Sequence, residues 1–242
     1  MDHSADEKEK IIMKDFLATP IFGVLLSIVC YEAGIIIQRR WRHPMLNPLL
    51  LAMVFVILIL TVFDIPKETY DLGGSYILFL LGPATVVMAV PLYRQINLLK
   101  KDWLPILVGI FAGSATSVLS VIGLAKVFHV DLEIAVSMLP KSVTTAIGME
   151  ISKEVGGVVS LTVAVIVLTG ILGAVIGPFI LKVLGIKDEV AQGVAMGTAA
   201  HAVGTSKAME LGETQGAMSG LSIGIAGLAT VLIIPLLIGL LG

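Results

Sequence analysis

Charge is scarce in this chain, and the scarcity decides its class. Only 14% of the 242 residues are Asp, Glu, Lys or Arg, while 57% are apolar; a soluble domain carries about 25% charged residues. Cysteine is scarcer still. Cys30 stands alone inside an apolar run, which excludes an intramolecular disulfide and argues against a redox or metal-thiolate role. Positive charge is not in excess either: the net charge of −2 argues against a nucleic-acid surface. Catalytic signatures are missing, with no G-x-S-x-G, H-E-x-x-H, P-loop or Rossmann fingerprint. The four histidines, His3, His43, His129 and His201, are scattered, so no enzyme activity, metal or cofactor is expected.

What the chain has instead is long apolar runs. Met45–Phe63, Leu72–Tyr93, Trp103–Ala125, Val155–Leu181 and Thr214–Gly242 contain no charged residue. Each can supply the ~20 residues of a spanning helix. Phe16–Ile37 is a sixth, interrupted only by Glu32. Six such runs leave too little polar surface for a water-soluble fold. The expectation is an all-α, polytopic integral membrane protein with about six spans. Residues 1–15 are polar and show neither a secretory apolar core nor a cleavage site, so the first run is expected to be retained.

Basic residues outside the runs set an orientation, because short cytoplasmic loops are enriched in Lys and Arg. Arg39, Arg40 and Arg42 follow the first run, and Arg94, Lys100 and Lys101 follow the third. The loop between, Asp64–Gly74, holds Asp64, Glu68 and Asp71 against Lys67. This places the N-terminus outside, and His129–Glu133 outside as well. Lys182 and Lys187 then fall in the cytoplasm only if Glu133–Gly156 enters and leaves on the outer side, so a turn-back segment is expected there.

An internal echo points the same way. Moving Glu133–Gly156 forward by 56 places aligns Glu133 with Glu189, Ala135 with Ala191, Ala146 with Ala202, Gly148 with Gly204, Glu154 with Glu210 and Gly156 with Gly212. One residue out of register, Gly170 meets Gly227 and Pro178 meets Pro235. Shared Gly/Ala composition is the bland explanation. The sharper one is a repeat, units about 133–184 and 189–241, each a re-entrant or broken-helix segment followed by one span. Successive copies would enter from opposite faces, the inverted arrangement in which carriers hold substrate near the midplane. A polar N-terminal tail, 1–15, would precede a single transmembrane domain, 16–242.

The two polar segments carry the chemistry. Irregular polar backbone cannot face lipid and is tolerated at membrane depth only inside protein or along a cavity. In the first, Pro140 is expected to open a helix whose leading N–H groups are those of Lys141, Ser142 and Val143. A helix N-terminus, the Lys141 ammonium and the hydroxyls of Ser142, Thr144 and Thr145 together suit an anion such as a carboxylate. The competing reading has Lys141 snorkelling or paired with Glu150 and the hydroxyls bonded to their own helix. The second segment, Gly197–Glu213, repeats the logic with Thr198, His201 and Thr205. His201 could bind an anion when protonated, or serve only in packing. Glu150–Lys153 and Lys207–Glu210 read as structural i,i+3 pairs.

Several motifs in one order then resemble a known family. They are Pro140-Lys141-Ser142-Val143-Thr144-Thr145, Leu168-Thr169-Gly170-Ile171-Leu172-Gly173, Gly197-Thr198-Ala199-Ala200-His201-Ala202-Val203-Gly204-Thr205, and Glu210-Leu211-Gly212-Glu213 with Gly216-Ala217-Met218-Ser219. Together, over about Phe16 to Leu241, they resemble the LrgB (CidB) family of bacterial inner-membrane proteins. Ala146 departs from the family pattern, which has proline after the paired threonines. The resemblance implies one of two roles. One is holin- or antiholin-like control of murein hydrolases and autolysis, with a small LrgA- or CidA-type membrane partner. The other is carriage of small monocarboxylates such as pyruvate or glycolate. A multi-pass inner-membrane location and a homo-oligomer are expected. For the carrier, Lys141, Ser142, Thr144, Thr145, Thr198, His201 and Thr205 would form the substrate shell.

Overall fold

The structure, a computed structural model, describes residues 17, 19–41, 46–80, 83, 93–94 and 96–241. It contains helices and no strand among the described residues. The chain divides into two compact units, Met1–Val87 and Met88–Gly242.

In the first unit, α1 (Pro20–Trp41), α2 (Pro48–Val62) and α3 (Lys67–Phe79) follow one another, and α1 packs on both others. Asn47 caps α2 through its side-chain oxygen, which accepts from Leu49 N at 2.8 Å, and Pro48 fills the first helical position, where its missing N–H is no loss. Gly23 and Gly73 bring α1 and α3 into backbone contact, since a Cβ on Gly73 would overlap the carbonyl of Pro20. The second half of the expected run Leu72–Tyr93 lies largely outside the described residues.

The second unit holds α4 (Ile96–Val127), α5 (Leu132–Met138), α6 (Thr145–Glu154), α7 (Val159–Val183), α8 (Glu189–Leu211) and α9 (Glu213–Leu237), with a closing 3-10 turn at Ile238–Leu240. Four helical stretches among the described residues are long and apolar enough to cross a membrane: Pro20–Trp41, Lys100–Val127, Val159–Val183 and Glu213–Leu240. The run at Met45–Phe63 yields a shorter apolar helix of 15 residues. α4 changes direction at Asp102 (φ −112°, ψ 23°), three residues before Pro105, whose ring and missing donor disrupt the ladder behind it.

Contacts along α7 fix the course of the polar segments. Val158 N donates to Ser137 Oγ at 2.7 Å, so the chain begins α7 at the level of the last turn of α5. Between them it has turned back. Thr162 Oγ1 reaches Ser152 Oγ at 2.7 Å and the Ser137 carbonyl at 2.8 Å, and Gly148 abuts Ile166. α6 therefore returns antiparallel to the first half of α7. Along the second half, Gly170 meets His201, Gly173 meets Ala200 and Gly177 meets Met196, so the incoming arm of α8 runs antiparallel to it from the other end.

α8 is itself a hairpin. Ala200 and His201 leave helical geometry, His201 at φ 43° and ψ −138°, and this reverses the chain. Before the break Gly193 packs on Gln215 and Gly197 on Ser219, parallel to α9; after it Met209 packs on Gly216 and Thr205 on Ser219, antiparallel to α9. Both turn-back segments thus place their tips at one turn of α7, Ile166–Gly170. That turn lies near the centre of a 25-residue helix, which at ~1.5 Å per residue is about 38 Å long.

Candidate functional site

α4, the incoming arm of α8 and the two tips line an open cavity of about 820 Å³. Its α4 wall presents Gly109, Gly113, Thr116, Ser117 and Ser120, a face of small and hydroxyl residues at helical spacing. α4 and the incoming arm of α8 run parallel here, because Gly109 faces Val194 and Gly113 faces Thr198. Asp102 and Asp188, near the starts of those two stretches, lie at one end of the cavity, and Lys141, Ser142 and Thr198 at the other. The ~15 residues from Asp102 to Ser117 make it about 20 Å deep.

At the inner end the Lys141 ammonium donates to Ser142 Oγ at 3.1 Å, and Ser142 Oγ is 2.9 Å from Ser117 Oγ. Lys141 is half-buried and has no carboxylate within ion-pair distance among the described residues. The alternative pairing with Glu150 is not formed, because Glu150 Oε1 accepts from Lys153 at 2.6 Å. Thr198, 5% exposed, keeps a side-chain hydroxyl without a hydrogen-bond partner. Buried polar groups are nearly always satisfied; the Lys141 ammonium is open to a ligand in the cavity, whereas the unpaired Thr198 hydroxyl is covered and is reached only when the wall shifts.

Other candidates stand elsewhere. The return helix begins at Thr145, with Thr144 (φ −66°, ψ 152°) as its N-cap, and not at Pro140. Residues 139–144 form tight turns instead, with Lys141 N bonded to the Met138 carbonyl at 3.2 Å and Val143 N to the Pro140 carbonyl at 3.3 Å. The backbone donors of Lys141 and Val143 are consumed there, and β-branched Val143 and Thr144 favour the extended geometry that ends the turn. Neither Thr144 nor Thr145 lines the cavity. His201, buried, points away from it: Nε2 lies 2.8 Å from the Ile166 carbonyl, and the ring rests on Gly170. Thr205 is enclosed, its hydroxyl bonded to the His201 carbonyl at 3.0 Å and to Ser219 Oγ at 2.6 Å. The structure thus brings Lys141, Ser142 and Thr198 together and leaves Thr144, Thr145, His201 and Thr205 in the scaffold that aims them.

The α4 wall, Asp102 and Asp188 are absent from the residues picked out by sequence. The spacing Gly109, Gly113, Thr116/Ser117, Ser120 is a one-face helical pattern within an apolar run, and that period was the available signal. The described residues contain no cluster of His, Cys, Asp or Glu able to hold a metal ion.

Comparison with known proteins bears on the same stretch. The model of the LrgB-like family matches residues 27–240. A protein of Bacillus cereus (strain B4264) named "Antiholin-like protein LrgB" is 37% identical over 225 residues, covering 93% of this chain and 98% of that protein. A Bacillus anthracis (strain A0248) protein of the same name shows the same identity and coverage. No solved structure matches the chain. With its motifs in order and the family match extending across both polar hairpins, the chain belongs to the LrgB-like family.

Proposed function

We propose that the second unit moves small monocarboxylate anions by alternating access, with Lys141, Ser142 and Thr198 contacting the substrate. The observation that carries this is the unpaired Lys141 ammonium at the inner end of a cavity where two opposed hairpin tips meet. Charge inside a membrane protein is costly and is usually placed for ion or substrate passage. One cation at the inner end matches one carboxylate. Asp102 and Asp188 toward the other end disfavour anions of higher charge by repulsion. The units 133–184 and 189–241 would act as inverted repeats, a reading supported by the 56-residue offset, which carries Thr145, where the first return arm begins, onto His201, where α8 reverses. An LrgA-type membrane protein is the expected partner, the inner membrane the expected location, and a homo-oligomer the expected assembly.

A second reading is favoured by the names of the relatives, which describe antiholin-like proteins, and those names support it better than they support transport. In it the chain modulates murein hydrolase activity through membrane-protein assembly, and the cavity is incidental. Uptake of labelled pyruvate and glycolate into proteoliposomes, with and without an LrgA-type partner, separates the two. Transport predicts saturable uptake that falls at least tenfold in Lys141→Ala. An assembly function predicts no saturable uptake in any combination and an autolysis phenotype that Lys141→Ala leaves intact.

A further inference from the structure

A second cleft, about 360 Å³, lies where α7 passes into α8. Its apolar surface comes from Pro178, Leu181, Ile186 and Leu211, and its charged surface from Lys182 and Lys187. α7 is a spanning helix whose last turn holds Lys182, so the cleft sits at the depth where acyl chains give way to headgroups. Neither lysine has a carboxylate within ion-pair distance among the described residues. The nearest acid in sequence, Asp188, is turned to its own helix, where it accepts from Ala191 N at 2.8 Å. Lys207, on the return arm of α8, is already paired with Glu210 at 2.6 Å.

The turn that holds the two lysines is preorganised. Gly185 takes φ 67°, a left-handed value that glycine adopts at little cost. This lets Gly185 N bond the Lys182 carbonyl at 3.1 Å and Ile186 N bond the Leu181 carbonyl at 2.9 Å, the pattern that closes a helix C-terminus. Gln192 Nε2 then donates to the Ile186 carbonyl at 2.8 Å, tying the turn to α8. Ile186 packs against the buried cluster of Leu181, Met196 and Ala208. Lys182 and Lys187 therefore stand at the two ends of a short, hydrogen-bonded turn that lines an apolar cleft.

We propose that this cleft binds an anionic phospholipid, the lysines holding the phosphate and the apolar wall the first methylenes of an acyl chain. Charge complementarity selects the occupant: two uncompensated ammonium groups favour a lipid of net negative charge over a zwitterionic one, and basic pockets between membrane helices are known to hold acidic headgroups. The site is independent of the cavity between the tips and does not rest on the transport reading.

The test uses the full chain purified in mild detergent, with native mass spectrometry counting retained lipid and thermal unfolding read in parallel. The probes are phosphatidylglycerol, phosphatidylcholine and inorganic phosphate. The expected result is a retained phosphatidylglycerol adduct that raises the unfolding temperature, at least tenfold weaker in Lys182→Gln/Lys187→Gln and unchanged in Lys126→Gln. Equal retention of phosphatidylcholine, or equal phosphatidylglycerol binding in the double variant, overturns the proposal. Equal stabilisation by inorganic phosphate overturns the lipid assignment. If the double variant does not fold, the two single variants decide, each expected to lose at least threefold.

Discussion

At the scale of single residues, hydroxyls that look alike in sequence divide by what they touch. Thr198 and Thr162 are both buried in this membrane protein. Thr162 donates into a network joining Ser137, Ser152 and Val158, whereas the Thr198 hydroxyl has no partner. Valine has nearly the same shape as threonine without the polar group, so it separates the roles. Thr162→Val leaves the Ser152 hydroxyl and the Ser137 carbonyl short of a partner, which costs about 1–3 kcal/mol. It is expected to lower the unfolding temperature in detergent. Thr198→Val removes no protein hydrogen bond and is expected to leave that temperature unchanged, while uptake in proteoliposomes rises roughly tenfold in KM, a factor worth about 1.4 kcal/mol. A Thr198→Val protein with unaltered KM would remove Thr198 from the substrate contacts.

At the scale of elements, close approach of backbones is what lets hairpins fit beside full spans. Gly193 and Gly197 lie against the carbonyls of Gln215 and Ser219, and a Cβ on Gly197 would overlap Ser219 O. Because that neighbour is backbone, it cannot rotate aside, and Gly197→Ala forces α8 away from α9. Overpacking of this kind costs about 1–3 kcal/mol, and here it also moves Thr198, the adjoining residue. The expected outcome is a lower unfolding temperature together with lost uptake, while Gly224→Ala, which meets nothing within 4 Å, changes neither. The polar segments were legible as elements because Gly, Ser, Thr and Lys interrupt apolar runs. The position of the first return helix was not. Pro140 marks a permissible start, but turn bonds from Lys141 and Val143 compete with the helix, and only the packing of Leu139 and Val143 against Val118, Val121 and Ile234 decides between them. His201 was legible as unusual from its residue type, which suggested titration; its backbone role in the reversal was not, at a φ of 43° that costs about 1–3 kcal/mol for a non-glycine residue.

At the scale of the second unit, the path of the chain through the membrane follows from which ends of α7 the hairpins share. Asp131 and Glu154 flank the first hairpin, and the bond from Val158 to Ser137 ties its entering arm to the start of α7. Lys187 and Glu213 flank the second, whose base lies beside the other end of α7, where Met196 packs with Leu181. All four are exposed. Single cysteines at these positions in a Cys30→Ser background, probed with an impermeant thiol reagent, must therefore label in pairs. Asp131→Cys and Glu154→Cys are expected to react from one face, and Lys187→Cys and Glu213→Cys from the opposite face. From the distribution of Lys and Arg, the second face is expected to be the cytoplasmic one. If the polar segments crossed the membrane instead, Asp131→Cys and Glu154→Cys would label from different sides. The two tips would then no longer approach from opposite faces, and a cavity closed by Lys141 and Thr198 would lose the geometry on which alternating access depends.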